Sequence, residues 1–141
     1  LAYGCAVDEF QHIMYQNPDL TPDQRNQTWL ELEHKYRPWI DFDNLPFYGR
    51  GAGWQRQLHI YECPFYYIDY CLSTMAALQF FLLSLHDQKD AWERYLRLVR
   101  RAGTASYTEL CETAGLQVPF RDGSIKAIAQ QMSQWIAEHQ V

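Results

Sequence analysis

The amino-acid sequence predicts an all-α fold, a bundle of helices. Apolar residues recur at intervals of three and four along most of the chain, which is the spacing that gives a helix one buried face. Start and stop signals of helices bracket several of these segments, and no segment sustains the apolar–polar alternation of a strand. With 141 residues, of which 48% are hydrophobic, the chain is long enough for one domain with a buried core.

Two helices are predicted in the first part of the chain. Residues 1–16 form an apolar-periodic segment, which an Asn-Pro pair ends. Thr21 is a favourable N-cap for the next helix, a proline follows at the first helical position, and Gln24 completes a capping box. We expect this second helix to end near Tyr36, because another proline follows shortly after it.

A loop rich in glycine and proline is predicted over residues 39–53, with the sequence WIDFDNLPFYGRGAG. Gly49, Gly51 and Gly53 lie near its end, but their spacing matches no phosphate-binding motif. Two interpretations remain for this loop. It is either a flexible connection or a mobile lid beside a site.

The next residues, 54–70, concentrate histidine and tyrosine in the sequence WQRQLHIYECPFYYIDY. We expect them to open a central helix pair that runs to about Leu85, with a kink near residues 60–64, because Pro64 removes a backbone donor. A period of 3.6 residues places four side chains on one face, namely His59, Cys63, Tyr66 and Tyr70. Tyr67 lies about 60° from Tyr70 on the same helix. Such a helix is either the wall of an active site or an aromatic core helix, and spacing alone favours the core.

Three more helices complete the prediction. Residues 87–101 form an amphipathic helix whose predicted inner face carries Trp92, Tyr95, Leu96 and Val99. Ser106 and Glu109 make a second capping box, which opens a short helix that Gly115 ends. A last helix is predicted from about Ser124, with apolar residues at helical intervals, namely Ile125, Ile128, Met132, Trp135 and Ile136.

Charge and hydropathy argue against two kinds of partner. The net charge is −5, from 12 basic and 17 acidic residues without a long basic run, whereas nucleic-acid binding needs clustered Lys and Arg to neutralise phosphates. The longest apolar run, residues 71–85, contains several polar side chains and is short for a bilayer crossing. We therefore expect neither a nucleic-acid partner nor a membrane partner.

The cysteines Cys5, Cys63, Cys71 and Cys111 follow no metal-binding spacing. If Cys63 and Cys71 share a helix, they lie about 12 Å apart, beyond the reach of a disulfide. We interpret all four as buried thiols of a reducing compartment, which indicates a cytoplasmic protein.

Two Glu-x-x-His pairs, Glu9 with His12 and Glu31 with His34, come nearest to a metal motif. Di-iron bundles use two such pairs, but they also need a lone glutamate from each of two further helices. In addition, the two pairs here fall on neighbouring helices, whereas the usual order interposes a helix. The sequence contains no HExxH, the most specific signature of zinc hydrolases. We therefore predict no metal ligand within this chain.

Almost the whole chain resembles the C-terminal part of oligoendopeptidase F, a zinc metallopeptidase family that also includes thimet oligopeptidase. The resemblance implies a larger helical, cleft-forming enzyme that hydrolyses short peptides. The segments that carry it, of which HIYECPFYYIDY is the most specific part, are DEFQHIMYQNPDLTPDQRNQTWLELEHKY, LPFYGRGAGWQRQLHIYECPFYYIDYCLSTMAALQF and AWERYLRLVRRAGTASYTELCETAGLQVPF.

The resemblance places the zinc ligands elsewhere. In this family the HExxH helix and the third ligand, a glutamate, lie upstream of the matching region, so the zinc cofactor would be bound by residues outside this chain. The chain also begins without methionine, inside an apolar pattern. We therefore expect a single helical C-terminal fragment over residues 1–141, with short peptides as substrates and the remainder of the parent peptidase as its partner. The fragment alone should be inactive.

The resemblance also assigns site residues. In this family a histidine followed by a Tyr-x-x-Tyr pair faces the zinc across the cleft, and the match here is His59 with Tyr67 and Tyr70. These side chains would contact the substrate carbonyl or the oxyanion. The interval from histidine to tyrosine is one residue shorter than in thimet-type relatives, so either Tyr66 or Tyr67 takes the substrate-facing place.

The three loop glycines, Gly49, Gly51 and Gly53, would form a flexible substrate-binding loop over the peptide. A second class of function stays open beside the peptidase. A helical module with the same aromatic cleft could bind peptides or a protein without any catalysis.

Overall fold

The computed structural model describes residues 1–42 and 44–139, and this part of the chain is helical and contains no strand. The predicted all-α fold is therefore confirmed. Four of its helices, α1, α2, α5 and α6, begin and end within about two residues of the predicted positions, and α7 begins where it was predicted to begin. The elements are α1 (Ala2–Gln16), α2 (Pro22–Tyr36), a 3-10 helix (Ala52–Arg56), α3 (His59–Glu62), α4 (Ile68–His86), α5 (Gln88–Arg101), α6 (Tyr107–Ala114) and α7 (Ser124–Glu138).

The chain divides into two compact units, the first of which is Leu1–Cys71. In this first unit α1 packs against α2, and the core cluster between them contains Ala6, Val7, Phe10, Trp29 and Leu32. The ring of Phe10 meets Trp29 edge-on with the centroids 5.3 Å apart, and Trp54 covers it from the 3-10 helix at 5.2 Å. Burial of each such side chain stabilises the unit by about 1.5–3 kcal/mol.

The second unit begins at Leu72 and has its own core. Its core cluster contains Ala76, Cys111, Ala114, Leu116 and Val118, with Phe80 and Leu98 packed against it. Gln79 of α4 is buried in this unit and exchanges two hydrogen bonds with the backbone of Gln117. Its Oε1 accepts from the Gln117 N–H at 2.7 Å, and its Nε2 donates to the Gln117 carbonyl at 3.0 Å.

Both predicted capping boxes are present. The N–H of Gln24 donates to Thr21 Oγ1 at 3.3 Å, and the N–H of Thr21 donates to Gln24 Oε1 at 2.8 Å. Ser106 and Glu109 repeat this exchange at the start of α6, at 3.4 and 2.8 Å. Each box satisfies two backbone groups that a helix terminus leaves unpaired, so these polar residues fix where α2 and α6 begin.

The glycine loop is packed where the sequence suggested a flexible connection or lid. Gly51 has φ 76°, and a Cβ there would lie 1.9 Å from the carbonyl oxygen of Asn26 in α2. A Cβ at Gly53 would lie 2.8 Å from Trp29 Nε1. Because glycine has no Cβ, the loop can approach α2 this closely. This close packing limits the conformational freedom of the loop at these two positions.

The inner face predicted for α5 is wrong. Trp92, Tyr95 and Val99 are 58%, 42% and 43% exposed, whereas Ala91 is buried and Leu98 packs against the core of the second unit. The apolar residues of α5 share one wide face of the helix, and Ala91 and Leu98 lie at one edge of that face. Periodicity alone therefore could not decide which part of the face meets the core.

Two further expectations need correction. By length and composition α4 could cross a membrane, since it spans 19 residues with a mean hydropathy of 1.5, although the core helix of a soluble protein passes the same test. The predicted run was shorter because it left out the first turn of this helix. Among the free thiols, Cys71 and Cys111 are buried as predicted, whereas Cys5 is half-buried and Cys63 is exposed. Burial raises the pKa of the Cys71 and Cys111 thiols.

Candidate functional site

The kink that the sequence predicts in the central helix pair is a complete break in the helix. The one-turn helix α3 ends at Glu62, and α4 starts only at Ile68. Pro64 lies in the break, and the next residue, Phe65, has φ 63°. A left-handed conformation is rare for a bulky side chain and cannot continue a right-handed helix. The single helical face expected to carry His59 and Tyr70 therefore does not exist.

A buried glutamine of α1 holds this break in place. Gln11 is 1% exposed, and its Oε1 accepts a hydrogen bond from the N–H of Phe65 at 2.9 Å. The Phe65 ring also packs beside His12 and Tyr15, with centroid distances of 4.9 and 5.0 Å. These contacts offset the cost of about 1–2 kcal/mol for a left-handed residue other than glycine.

The break turns the candidate side chains toward one another. His59 stacks on Tyr66 with an interplanar angle of 4° and meets Tyr67 and Tyr70 edge-on, with centroid distances of 6.1, 5.0 and 5.8 Å. Tyr70 in turn lies 5.4 Å from Tyr66 and 5.2 Å from Tyr67. We call His59, Tyr66, Tyr67 and Tyr70 the His–Tyr cluster. It brings together every histidine and tyrosine predicted for the site.

The His–Tyr cluster is open rather than sealed in the core. Tyr66 and Tyr70 are 45% and 46% exposed, and His59 and Tyr67 are half-buried. A hydrogen bond between the two exposed phenols is the main cause that raises the pKa of Tyr66. A phenol whose pKa is raised stays protonated at neutral pH, so Tyr66 keeps its O–H as a donor.

Three residues behind the cluster were missed in the sequence. The Tyr3 hydroxyl donates to Gln57 Oε1 at 2.7 Å, and Gln57 Nε2 lies 2.7 Å from His59 Nδ1. Burial raises the pKa of Tyr3 to about 12, with Tyr67 as a further cause. A Cβ at Gly4 would lie 2.2 Å from the Sγ of Cys71 and 3.7 Å from the Tyr67 ring. Nothing in the sequence pattern pointed to these contacts between α1 and residues 57–71.

The loop glycines contact other neighbours. The atoms nearest to a Cβ at Gly51 or Gly53 belong to Asn26, Trp29 and Tyr48 rather than to the His–Tyr cluster. Gly49 donates its N–H to the carbonyl of Leu45 at 2.7 Å. A substrate-binding role for the three glycines remains a prediction, and packing already explains two of them.

The part of the chain that the structure describes forms no site for the zinc, whose ligands the resemblance places outside this chain. Over residues 1–42 and 44–139, no group of three or more His, Cys, Asp or Glu side chains could hold a metal ion. Glu9, from the first Glu-x-x-His pair, instead accepts hydrogen bonds from Lys35 Nζ at 2.8 and 2.7 Å and from the Tyr36 hydroxyl. The hydrogen bond from Lys35 lowers the pKa of Glu9.

The chain is similar over its whole length to solved peptidase structures. It matches PZ peptidase A, solved with an inhibitor, at 44% identity and a TM-score of 0.93 over 99% of this chain. Two structures described as oligoendopeptidase F also match over 99% of the chain. One has 42% identity and a TM-score of 0.93, and the other, from Bacillus anthracis, has 34% identity and a TM-score of 0.76.

The chain spans only 25%, 25% and 22% of the length of these three proteins. No family model matches it, and no curated protein does. The likeness nevertheless combines a high sequence identity with the same helical fold across nearly every residue of this chain. In sequence and in fold, this chain corresponds to about a quarter of the length of PZ peptidase A and of the oligoendopeptidase F structure at 42% identity.

Proposed function

We propose that this chain is the C-terminal, substrate-binding part of a zinc-dependent oligoendopeptidase that hydrolyses short peptides. The observation that carries the proposal is the His–Tyr cluster, in which one imidazole and three phenols converge at an exposed position. The zinc would be held by residues outside this chain, in the remainder of the same protein. The free cysteines support a cytoplasmic location as part of the proposal.

Within this proposal the cluster supplies hydrogen-bond donors to the peptide. Hydrolysis of a peptide bond develops negative charge on the carbonyl oxygen, and a donor already positioned near that oxygen stabilises the charge. Tyr70 has an exposed ring that contacts His59, and in this proposal its phenol O–H and an imidazole N–H donate to the same oxygen. Loss of one such donor lowers the rate by about 10²- to 10³-fold.

The partner of Tyr70 in this role is either Tyr66 or Tyr67, and their surroundings differ. Tyr66 is exposed and shares a hydrogen bond with Tyr70, which raises its pKa. Tyr67 is half-buried and meets Tyr3 edge-on at 5.7 Å, against the core cluster of the first unit. Separate Tyr66→Phe and Tyr67→Phe variants would show which hydroxyl contributes to turnover, since each change keeps the ring and removes only the O–H.

Tyr70→Phe in the full-length protein tests the proposal. We expect kcat/KM on a short peptide to fall by about 10²- to 10³-fold while the zinc content stays unchanged. Tyr61→Phe is the matched control, because Tyr61 is also exposed and stacks on Trp54 outside the cluster. Equal turnover in the wild type and the Tyr70→Phe variant would remove the role that we assign to this phenol.

The non-catalytic alternative gives a different result. If the chain is a binding module, calorimetry with this chain alone should detect short peptides without any added metal. The full-length protein should then show no peptide hydrolysis in the presence of zinc. That combination would replace the peptidase proposal, because a peptidase needs turnover and a binding module does not.

A further inference from the structure

A hydrogen-bonded series of three side chains links the imidazole of His59 to α1. The Tyr3 hydroxyl lies 2.7 Å from Gln57 Oε1, and Gln57 Nε2 lies 2.7 Å from His59 Nδ1. Gln57 therefore spans the space between a phenol of α1 and the ring of the His–Tyr cluster. Its side chain is half-buried, as are those of Tyr3 and His59.

The Tyr3 hydroxyl, at one end of this series, determines which group donates in each hydrogen bond. A phenol must donate its hydrogen, and within the described residues the only acceptor that the Tyr3 hydroxyl contacts is Gln57. Burial raises the pKa of Tyr3 to about 12, so this hydroxyl keeps its proton. If the amide were reversed, the phenol hydrogen would face an NH₂ group and lose its acceptor, which is costly for a partly buried donor. The amide therefore presents Oε1 to Tyr3 and its N–H to His59.

The orientation of the Gln57 amide in turn determines which ring nitrogen of His59 carries the proton. Since Gln57 Nε2 donates, Nδ1 of His59 must accept and carries no hydrogen in the neutral ring. The ring proton then resides on Nε2, the ring nitrogen that Gln57 does not contact. A neutral histidine held in this tautomer is a donor at Nε2 without being charged.

We propose that Gln57, oriented by Tyr3, is a positioning residue that fixes His59 as an Nε2–H donor toward the peptide substrate. This inference rests on the proposed function, because the peptide substrate of that function is the acceptor for the Nε2–H donor. In this proposal Gln57 acts only through His59. The same relay explains why a phenol of α1 lies behind a site formed by residues 59–70.

Gln57→Glu in the full-length protein tests this inference. A carboxylate can only accept, so it accepts a hydrogen bond from Nδ1–H and leaves Nε2 of the neutral ring without a proton, whereas the charged ring at low pH still donates from both nitrogens. We expect the ratio of variant to wild-type kcat/KM to fall by about tenfold or more from about pH 6 to about pH 9. A merely structural role would lower the ratio equally at all pH values.

The control is Gln55→Glu, the same change two residues earlier. Gln55 is exposed and donates to Asn26 Oδ1 at 3.3 Å, away from His59. Its ratio to the wild type should not depend on pH. A second variant, Tyr3→Phe, keeps the ring against Trp29 and Tyr67 but removes the hydroxyl that orients the amide. Turnover should fall by about threefold.

Nitrogen-15 NMR of histidine-labelled protein reads the tautomer directly and independently of activity. The His59 signal is identified by its absence in His59→Ala, and at high pH its proton should lie on Nε2 in the wild type and on Nδ1 in Gln57→Glu. The same tautomer in both proteins would overturn the inference. The proposed function fails separately, if His59→Ala leaves turnover unchanged while the tautomer still switches.

Discussion

The two compact units differ in what their aromatic residues offer to a ligand. The second unit has a cavity of about 900 Å³, which Phe80, Trp92 and Tyr95 line together with His86 and Lys89. That volume lies within the usual range for a small-molecule site. The first unit instead has the His–Tyr cluster, in which four rings with polar atoms contact one another. Cavity size would direct attention to the second unit, and chemistry directs it to the first. The proposed function follows the chemistry of the side chains rather than the volume of the cavity.

The largest difference between the units should appear in catalysis. His59→Ala removes the imidazole of the cluster, and we expect kcat/KM of the full-length protein to fall by about 100-fold. His86→Ala makes the same change at the cavity of the second unit and should stay within about twofold of the wild type, because no donor there is assigned to the peptide. The reverse ranking in steady-state kinetics would place the chemistry at the cavity.

Two glycines sharpen the comparison at the level of packing. Gly51 in the first unit and Gly103 in the second have φ 76° and 78°, but a Cβ would meet the Asn26 backbone at 1.9 Å in the first case and nothing within 4 Å in the second. Gly103→Ala should cost about 1 kcal/mol through its backbone conformation alone. Gly51→Ala adds a steric clash and should cost about 3 kcal/mol. Urea denaturation measures both, and equal losses would show that the glycine loop is not packed against α2.

The two capping boxes allow each unit to be destabilised alone. Thr21→Ala and Ser106→Ala each remove a side chain that accepts from a backbone N–H, so each should cost about 1 kcal/mol. Amide hydrogen exchange should rise in α2 for the first variant and in α6 for the second. If either variant raised exchange equally in both units, the units would unfold together rather than separately.

The smallest expected effect concerns pH. The hydrogen bond from Lys35 lowers the pKa of Glu9 in the folded first unit, so the interaction stabilises the fold above the unfolded pKa of about 4.3 and is lost as the pH falls through the folded value. Because the pair is partly exposed, its contribution should be a few tenths of a kcal/mol. In Glu9→Gln the unfolding free energy should therefore decrease less between about pH 6 and about pH 3. If the unfolding free energy of Glu9→Gln decreased as much as that of the wild type over this pH range, the ion pair would contribute no stability.

Local signals predicted most of the helices. Thr21 with Gln24, Ser106 with Glu109, and the stop at Gly115 act within a few residues, so their effect can be deduced from the chain alone. The exposed face of α5 could not be deduced, since the burial of Ala91 and the partial burial of Leu98 depend on packing within the second unit. Helix periodicity reports a stripe of residues but not the partner that covers it.

The candidate site shows the same limit in a different way. The sequence indicated that His59 and the tyrosines belong together, and the structure brings them together through a break that periodicity did not predict. Pro64 indicated an irregularity in the helix, but the left-handed conformation of Phe65 depends on Gln11, which lies far away in sequence. Gln57 was missed for the same reason, since its role is defined by Tyr3. Long-range polar contacts determine the geometry, and they leave no short motif.

The hydrogen bond between Gln11 and Phe65 has a practical consequence for engineering. It joins residues 54 positions apart. Residues 59–70 therefore contain the side chains of the candidate site but not all of the contacts that determine its geometry. If that segment were transplanted onto an unrelated helical scaffold, Phe65 would relax to an ordinary backbone conformation and the rings would spread apart. A designer who wishes to copy this arrangement must therefore transfer the amide of α1 together with the segment.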